Sequence, residues 1–471
     1  MTAMSETHPA TNLPDEMTSV RPRLGEVLSP LESADHRAAI LLSSRHGLNI
    51  RIEKDEEEIS ELPRSAGAVV SCFDGKTLFE QSVPGFDIGR LLAAAGDLKA
   101  SLPGRQDGGV AIAAAPPTDF ATRAEIPAAS LSLEEKLERC RDLQRRIARM
   151  DPRIVNARVS YTESSETSIF RDRASDLSQA VQRVRLIAFV ILSDGGEIRY
   201  DWKSKGGTGG WESLSFADEE LEDVLRGAAR LFSAERIDPG EHTVVSGPGV
   251  SGVLAHESFG HGVETDLFPK DRARSVDFLG RPVGSELVTI LDDPSLPDGY
   301  GSYFFDDEGM PASPTTIVER GVFRSGITDR VSAATLGIRR TSNGRRQDYT
   351  RKPYARMSNT FFAAGTASVD EIFAQVDRGV YLDRWINGME DPQGWGIQIT
   401  CHYGREIQDG RLTERVFAPV SISGYVPTVL GTIRAASSDV RLDQGMCGKG
   451  KKEFVVNSSG GPHLLLVANL G

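Results

Sequence analysis

Residues 253–266 read VLAHESFGHGVETD, and they place His256, Glu257 and His261 in the order HExxxH. In the familiar zinc-protease helix the histidines are four apart. Four residues turn ~400°, so both rings leave the same face. Here they are five apart, which turns ~500° and would splay the rings by about 140° in a regular helix. Convergence therefore requires the helix to widen or break. Gly260, one residue before His261, tolerates that distortion, and Gly262 marks an end or bend. The stretch predicts a short, distorted helix carrying a metal motif. The bland alternative is a pair of capping or surface histidines. Eight histidines in the whole chain, two of them bracketing a glutamate among glycines, weigh against it.

A zinc site needs a third protein ligand and an open position. Cys447, in GMCGKG at 445–450, is the attractive candidate. A cysteine between glycines is open to approach, and thiolate is a strong zinc ligand. The alternatives are His402 beside Cys401, His463, Glu264 and Asp266. Zn²⁺ on His256, His261 and Cys447 would polarise a substrate carbonyl and acidify a water, with Glu257 as general base. Arg345, Arg346, Tyr354 and Arg356 are polar and clustered in sequence. They are candidates for stabilising an oxyanion, against the reading that they form ordinary salt bridges.

Outward from the motif, the second half of the chain has many short strand and turn signals. ERGVFRSG (319–326) and YGREIQDGRLTE (403–414) both read as hairpins. Upstream, Val181–Leu192 and Glu197–Trp202 flank Asp194-Gly195-Gly196, another hairpin signal. KGGTGGWE at 205–212 lacks both P-loop and dinucleotide spacing, so a tight turn or close backbone approach is the better reading. Ser132 and Glu135 form a capping box opening a helix to about Met150, with Cys140 on its apolar stripe as a plain core residue. Residues 217–234 read as a second helix, 86–97 as a third, and 103–122 as a linker. The fold class is α+β. It comprises a loose tail (1–24), an N-terminal α/β domain (25–235) and a strand-rich, metal-binding domain (236–471).

Composition narrows the function classes. There are 54 basic and 67 acidic residues in 471, a net charge of -13. An acidic chain without a basic tract is a poor general ligand for nucleic acid. Four cysteines without a CxxC pair fit a reducing compartment rather than a disulfide framework. No signal-peptide pattern or membrane span is visible, so a cytoplasmic location is expected. The 47 glycines exceed the usual ~7%, and several flank both halves of the candidate site.

The combination closely resembles the TldD/PmbA family, described as modulators of DNA gyrase and read as metalloproteases, and within it the catalytic TldD-like branch. It rests on GVLAHESFGHGVETD (252–266), GSYFFDDEGMP (301–311), TSNGRRQDY (341–349), ARMSNTF (355–361) and GMCGKG (445–450), with weaker similarity through MDPRIV (150–155) and SKGGTGGWE (204–212). The resemblance implies one Zn²⁺ on His256, His261 and Cys447, with Glu257 as base. It implies an N-terminal α/β domain followed by a domain dominated by antiparallel strands. It also implies a homodimer, or a heterodimer with a related subunit, and a peptidase restricted to small, unfolded or extended peptides. Strand addition at a sheet edge would suit such substrates. INGMEDPQGWGIQI (386–399) departs from the family's glycine-rich run through added acidic and aromatic residues. A non-catalytic regulatory subunit, or a zinc amidohydrolase for a peptide-like small molecule, are the competing readings.

Overall fold

The computed structural model describes residues 13–103, 115–450 and 452–471. The protein is a mixed α+β molecule whose C-terminal part is rich in strands. Its N-terminal part is built on one seven-stranded sheet. The strands run in the order Leu78–Pro84, Glu57–Phe73, Arg37–Ile52, Ile154–Asp172 and Asp176–Asp194. Thr118–Ala121 and Glu197–Thr208 both pair with the last of these. The pairing is antiparallel except for Thr118–Ala121. Asp176–Asp194 has 19 residues, roughly 60 Å at the usual rise per residue, and it alternates buried and half-buried positions along most of its length. Its hairpin to Glu197–Thr208 turns through Gly195 and Gly196, both at positive φ.

Helices cover this sheet in two places. Leu133–Ala148, opened by the Ser132–Glu135 capping box, buries Leu137, Cys140, Leu143 and Ile147. Asp218–Arg230 adds Leu221, Val224 and Ala228 to the same core. Elsewhere Ile88–Ser101 and Leu24–Leu28 pack over Ile40, Leu42 and Val70.

The loose tail expected to run to residue 24 is helical from Asp15. Met17, Leu24, Val27 and Leu28 are fully buried there, so apolar anchors override the polar, proline-bearing composition. Residues 1–12 of that tail lie outside the described residues. Much of the expected 103–122 linker does too, but Thr118–Ala121 within it is a strand.

The C-terminal part has two large sheets and a small one pairing Gly344–Arg345 with Tyr354–Ala355. Arg378–Asp391, Gly240–Ser246, Leu464–Leu470, Val420–Tyr425 and Gly396–Gln408 pair in sequence, and the last pairs back to the first, closing a barrel. The other sheet has six strands, ending in Ile290–Asp292, Asn359–Phe362, Lys452–Gly461 and Arg441–Lys449. Between them runs the helix Pro248–Phe259, every residue of which is buried. Its apolar residues Val250, Val253, Leu254, Ala255 and Phe259 join the core, while Ser251, His256, Glu257 and Ser258 are buried with them. It approaches the six-stranded sheet so closely that a Cβ on Gly252 would overlap the backbone of Ser459 and Gly460.

Both expected hairpins of this half are present, with Arg320-Gly321 and Asp409-Gly410 in the left-handed region at their turns. The two parts of the molecule are tied by buried polar contacts. Arg183 donates to the carbonyls of Tyr300 and Ser302, both at 2.8 Å, and Arg346 reaches Glu80 at 2.7 Å.

Candidate metal centre

The buried helix ends at Phe259, and a 3-10 turn, His261–Val263, begins immediately. Gly260 lies between them with its N–H on the His256 carbonyl at 2.9 Å. Its φ is negative, so the glycine is not there for left-handed backbone. It is there for space: a Cβ would overlap the sulfur of Met357 and the His256 carbonyl. The break brings the two rings together, with centroids 5.1 Å apart and planes at 89°.

Cys447 arrives from far along the chain. It sits near the end of Arg441–Lys449, the outermost strand of the six-stranded sheet. An irregularity in pairing between Cys447 and Lys449 bends the strand there. His256, His261 and Cys447 each offer one donor atom, and these atoms lie within 4.8 Å of one another. Two imidazoles and a thiolate, with room for a further ligand, are a donor set suited to zinc. His256 Nδ1 is buried without a hydrogen bond among the described residues, as an atom awaiting a ligand would be.

The surroundings stabilise a thiolate. Burial alone would push the Cys447 thiol up. The charge of His256, contacts with both imidazoles and the Arg356 guanidinium instead pull it well below the ordinary thiol range. Arg356 is fully buried. It donates to Cys447 Sγ at 2.9 Å and lies 2.9 Å from Glu264 through Nε. Burial opposes protonation of His261, but Cys447 and Glu264 outweigh it and raise the imidazole well above its usual value. Charge on the trio is therefore already arranged for exchange of protons against a cation.

A cavity of about 860 Å³ opens over the trio, lined on one side by Val253, Glu257 and residues 387–390 and on the other by residues 445–450. Glu257 faces it. The Glu257 carboxylate rests on Gly388, where any side chain would displace it. Glu390 lies on the same strand face as Gly388, two residues on, with its carboxylate over Gly262. Burial pushes Glu390 well above the usual carboxylate range against the positive charge of His261 and the Gly262 N–H, with Glu257 and Glu264 adding to the rise.

The other sequence candidates divide cleanly. Glu264 and Asp266 line the cavity but are held by Lys449 at 2.6 and 2.8 Å. His402 is elsewhere, bonded to the Tyr200 carbonyl and packed on Trp202. His463 pairs with Asp439. Among the proposed oxyanion donors, Tyr354 lines the cavity and Arg356 lies on the sulfur. Arg345 instead donates to the carbonyls of Met357 and Val456, and Arg346 serves the contact between the two parts of the chain.

Sequence reasoning missed Lys449 and Glu390. Lys449 lay inside the quoted GMCGKG, and Glu390 inside the stretch singled out at 386–399. Nothing local announced what either would face.

Residues 239–470 match the PmbA/TldA metallopeptidase C-terminal domain, and residues 126–233 match the central domain of the same family. A metalloprotease of Methanothermobacter thermautotrophicus is 38% identical over 317 residues, covering 66% of this chain and 68% of that one. One from Methanocaldococcus jannaschii is 30% identical, covering 72% and 74%. Among solved structures, a putative modulator of a DNA gyrase from Thermotoga maritima superposes with TM-score 0.76 at 18% identity, covering 97% of this chain and 100% of that one. TldE from Thermococcus kodakarensis gives 0.72 at 16%, covering 97% and 99%. No helix among the described residues is long and apolar enough to cross a membrane. The chain belongs to the TldD/PmbA family, a family of metallopeptidase-like proteins.

Proposed function

We propose that this protein is a zinc-dependent peptidase acting on small, unfolded or extended peptides. The observation that carries this is the convergence of His256, His261 and Cys447 with Glu257 facing the same cavity. His256, His261 and Cys447 would hold the metal, which when bound supplies Lewis acidity toward the scissile carbonyl and lowers the pKa of water. Glu257 would take a proton from the attacking water on a carboxylate oxygen and return it to the leaving nitrogen. The absence of a side chain on Gly388 leaves the space that carboxylate occupies. Arg356 would keep Cys447 ionised and in place, acting through the sulfur rather than on the substrate.

The cleft walls favour an extended substrate. Arg441–Lys449 pairs on one side only. Across the cavity, residues 387–391 pair with 396–400, while the neighbouring parallel contact covers only Val380–Leu382. Two backbone edges thus flank the trio, and a peptide in β conformation can add to either. Exposed Met446 and Met389 lie beside these edges and suit apolar peptide side chains or a second family subunit. The relatives' naming as metalloproteases supports the peptidase reading; pairing with a second copy or a related family chain is part of the same proposal.

Glu257→Gln is the direct test of the chemistry. The variant should retain the metal content of the wild type and lose turnover of unstructured peptides by about a hundredfold or more. Cleavage at the wild-type rate would remove Glu257 from the mechanism. Wild-type turnover of small non-peptide amides, with none of peptides, would shift the assignment to an amidohydrolase.

A further inference from the structure

One end of the cavity carries spare positive charge, in a chain whose net charge is -13. Three segments meet there. The turn Thr265–Lys270 packs against the short strand Tyr354–Ala355. Lys449, on the hairpin that carries Cys447, ties the other two together: its Nζ lies 2.8 Å from Asp266 on the turn and 5.7 Å from the centre of the Tyr354 ring. Each segment sends one polar side chain to the cavity wall that nothing in the proposed reaction uses. These are Arg272, two residues beyond the turn, Tyr354, and Lys452. Arg356, two residues after Tyr354, donates to Cys447 Sγ at 2.9 Å, so this end adjoins the trio.

The acids of this end are matched within the fold. Glu264 pairs with Arg356 and Lys449, and Asp266 with Lys449 and Lys270. Glu453 pairs with Arg351. The remaining carboxyl groups of the lining, Glu257 and Glu390, lie against Gly388 and Gly262. Arg272 and Lys452 are different. Both are exposed, and neither side chain has a hydrogen bond or an ion pair among the described residues. Tyr354 is half-buried, with its hydroxyl open to solvent and without a partner among the described residues. Lys352 Nζ stands 4.6 Å from the same ring, and ammonium groups over a phenol ring draw on its electrons and strengthen the O–H as a donor. A guanidinium, an ammonium and a phenol offer donors only or donors foremost. A neutral backbone carbonyl would satisfy one of them and leave the charge unused. An anion uses all three, and the anion a peptide carries is a carboxylate.

We propose that Arg272, Lys452 and Tyr354 form a carboxylate-binding subsite at this end of the cleft, which selects peptides carrying a negative charge to one side of the bond to be cut. The carboxylate is the peptide's own carboxy terminus or an aspartate or glutamate side chain. This rests on the peptidase reading and adds a substrate class to it. Lys449 is a positioning residue here: spent on Glu264 and Asp266, it holds the turn and the hairpin together so that Arg272 and Lys452 flank one opening. The strand edges contribute affinity that is indifferent to sequence, and the subsite sets which stretch of chain stops over the trio. Against the negative charge of the whole molecule, the local excess of cations also draws an acidic peptide to this cleft rather than elsewhere on the surface.

The test is calorimetric and uses the metal-loaded full chain carrying Glu257→Gln, which binds without turning over. The probes are N-acetylated pentaalanine with a free carboxylate, its carboxamide, and N-acetylated carboxamides with a central glutamate or glutamine. An anionic probe should bind about fivefold or more tightly than its neutral counterpart, the size expected for solvent-exposed charge pairs. Adding Arg272→Gln and Lys452→Gln together should bring that ratio to about one, and Tyr354→Phe should lower it by a smaller factor. Arg320→Gln, which removes an exposed charge at a distant hairpin turn, should leave the ratio intact. A carboxylate-over-carboxamide preference identifies the chain terminus; a glutamate-over-glutamine preference identifies a side chain. The proposal is overturned if anionic and neutral probes bind alike, or if the preference survives the paired substitution. It is equally overturned if Arg320→Gln erodes the preference as much, since net charge and not this subsite would then be its source. Failure of the wild type to cleave any of these peptides would count against the peptidase reading, while the binding ratio still judges the subsite.

Discussion

Two buried clusters of charge in this molecule sit on different elements and serve different ends. The first joins the two parts of the chain, with Arg183, Glu166, Asp306, Asp307, Glu308, Arg340 and Arg346 at its centre. Each carboxylate in it has a donor. Glu166 takes Arg183 at 3.1 Å, Asp307 takes the Arg346 N–H at 2.7 Å, and Glu308 takes the Arg330 N–H at 2.8 Å. Asp306 accepts three backbone amides and Arg340. The second cluster surrounds Cys447. There His256 Nδ1 and both oxygens of Glu390 are buried with no hydrogen bond, under an open cavity. Both clusters hold buried polar atoms without a hydrogen bond, Glu308 Oε1 and Arg340 Nε in the first among them; what sets the second apart is that it brings two imidazoles and a thiolate together under an open cavity.

The sharpest way to break that contrast is to remove Arg356. It is the cation shared by Glu264 and Cys447 and is fully buried. Arg356→Ala should cost about 3–5 kcal/mol, because a buried acid loses its partner. It should also lower metal affinity by raising the Cys447 thiol. Chemical denaturation and metal titration read both. An unchanged midpoint with unchanged metal affinity would mean that the contact is incidental.

The joining cluster gives a smaller, pH-dependent effect. Burial pushes Asp307 up to about 6, with Glu166 adding to it against the pull of Arg346. A carboxyl raised above its unfolded value contributes stability that is full below the unfolded pKa, near 4, and is lost as pH rises through the folded value. Between about pH 4 and pH 7 this group should therefore withdraw up to about 3 kcal/mol. Asp307→Asn should abolish that slope. Its unfolding midpoint should rise relative to wild type as the pH goes up, and a pH-independent difference would contradict the assignment.

The contrast also explains what could be read from the sequence. Local features were legible because their causes are local. The Ser132–Glu135 box is formed as read, and the Asp194-Gly195-Gly196 signal makes a hairpin whose turn needs two positive φ angles. The glycines of 205–212 serve close approach: side chains on Gly206, Gly207 and Gly210 would strike the carbonyls of Val184, Asp298 and Ile126. The helix break at Gly260 was legible from the angular mismatch of the two histidines, although crowding by Met357 rather than backbone freedom is what demands the glycine.

Features set by distant packing were not legible. Arg356 was singled out in sequence as a candidate oxyanion donor or salt-bridge group, but its contact with the sulfur of a residue 91 positions away is set only by the fold. Glu390 reads as a turn-proximal acid until its strand is laid against the helix end. The helical start at Asp15–Leu28 was hidden by composition, even though Met17, Leu24 and Val27 already carried an apolar spacing.

The central claim, that His256, His261 and Cys447 together hold a metal, is tested most directly by X-ray absorption at the zinc edge on the protein and on Cys447→Ser, with metal content measured in parallel. The account predicts about one zinc per chain, with nitrogen donors and a single sulfur at ~2.3 Å, and loss of that sulfur together with most of the metal in Cys447→Ser. A zinc shell without sulfur in the wild type, or full retention of the metal by Cys447→Ser, would contradict it.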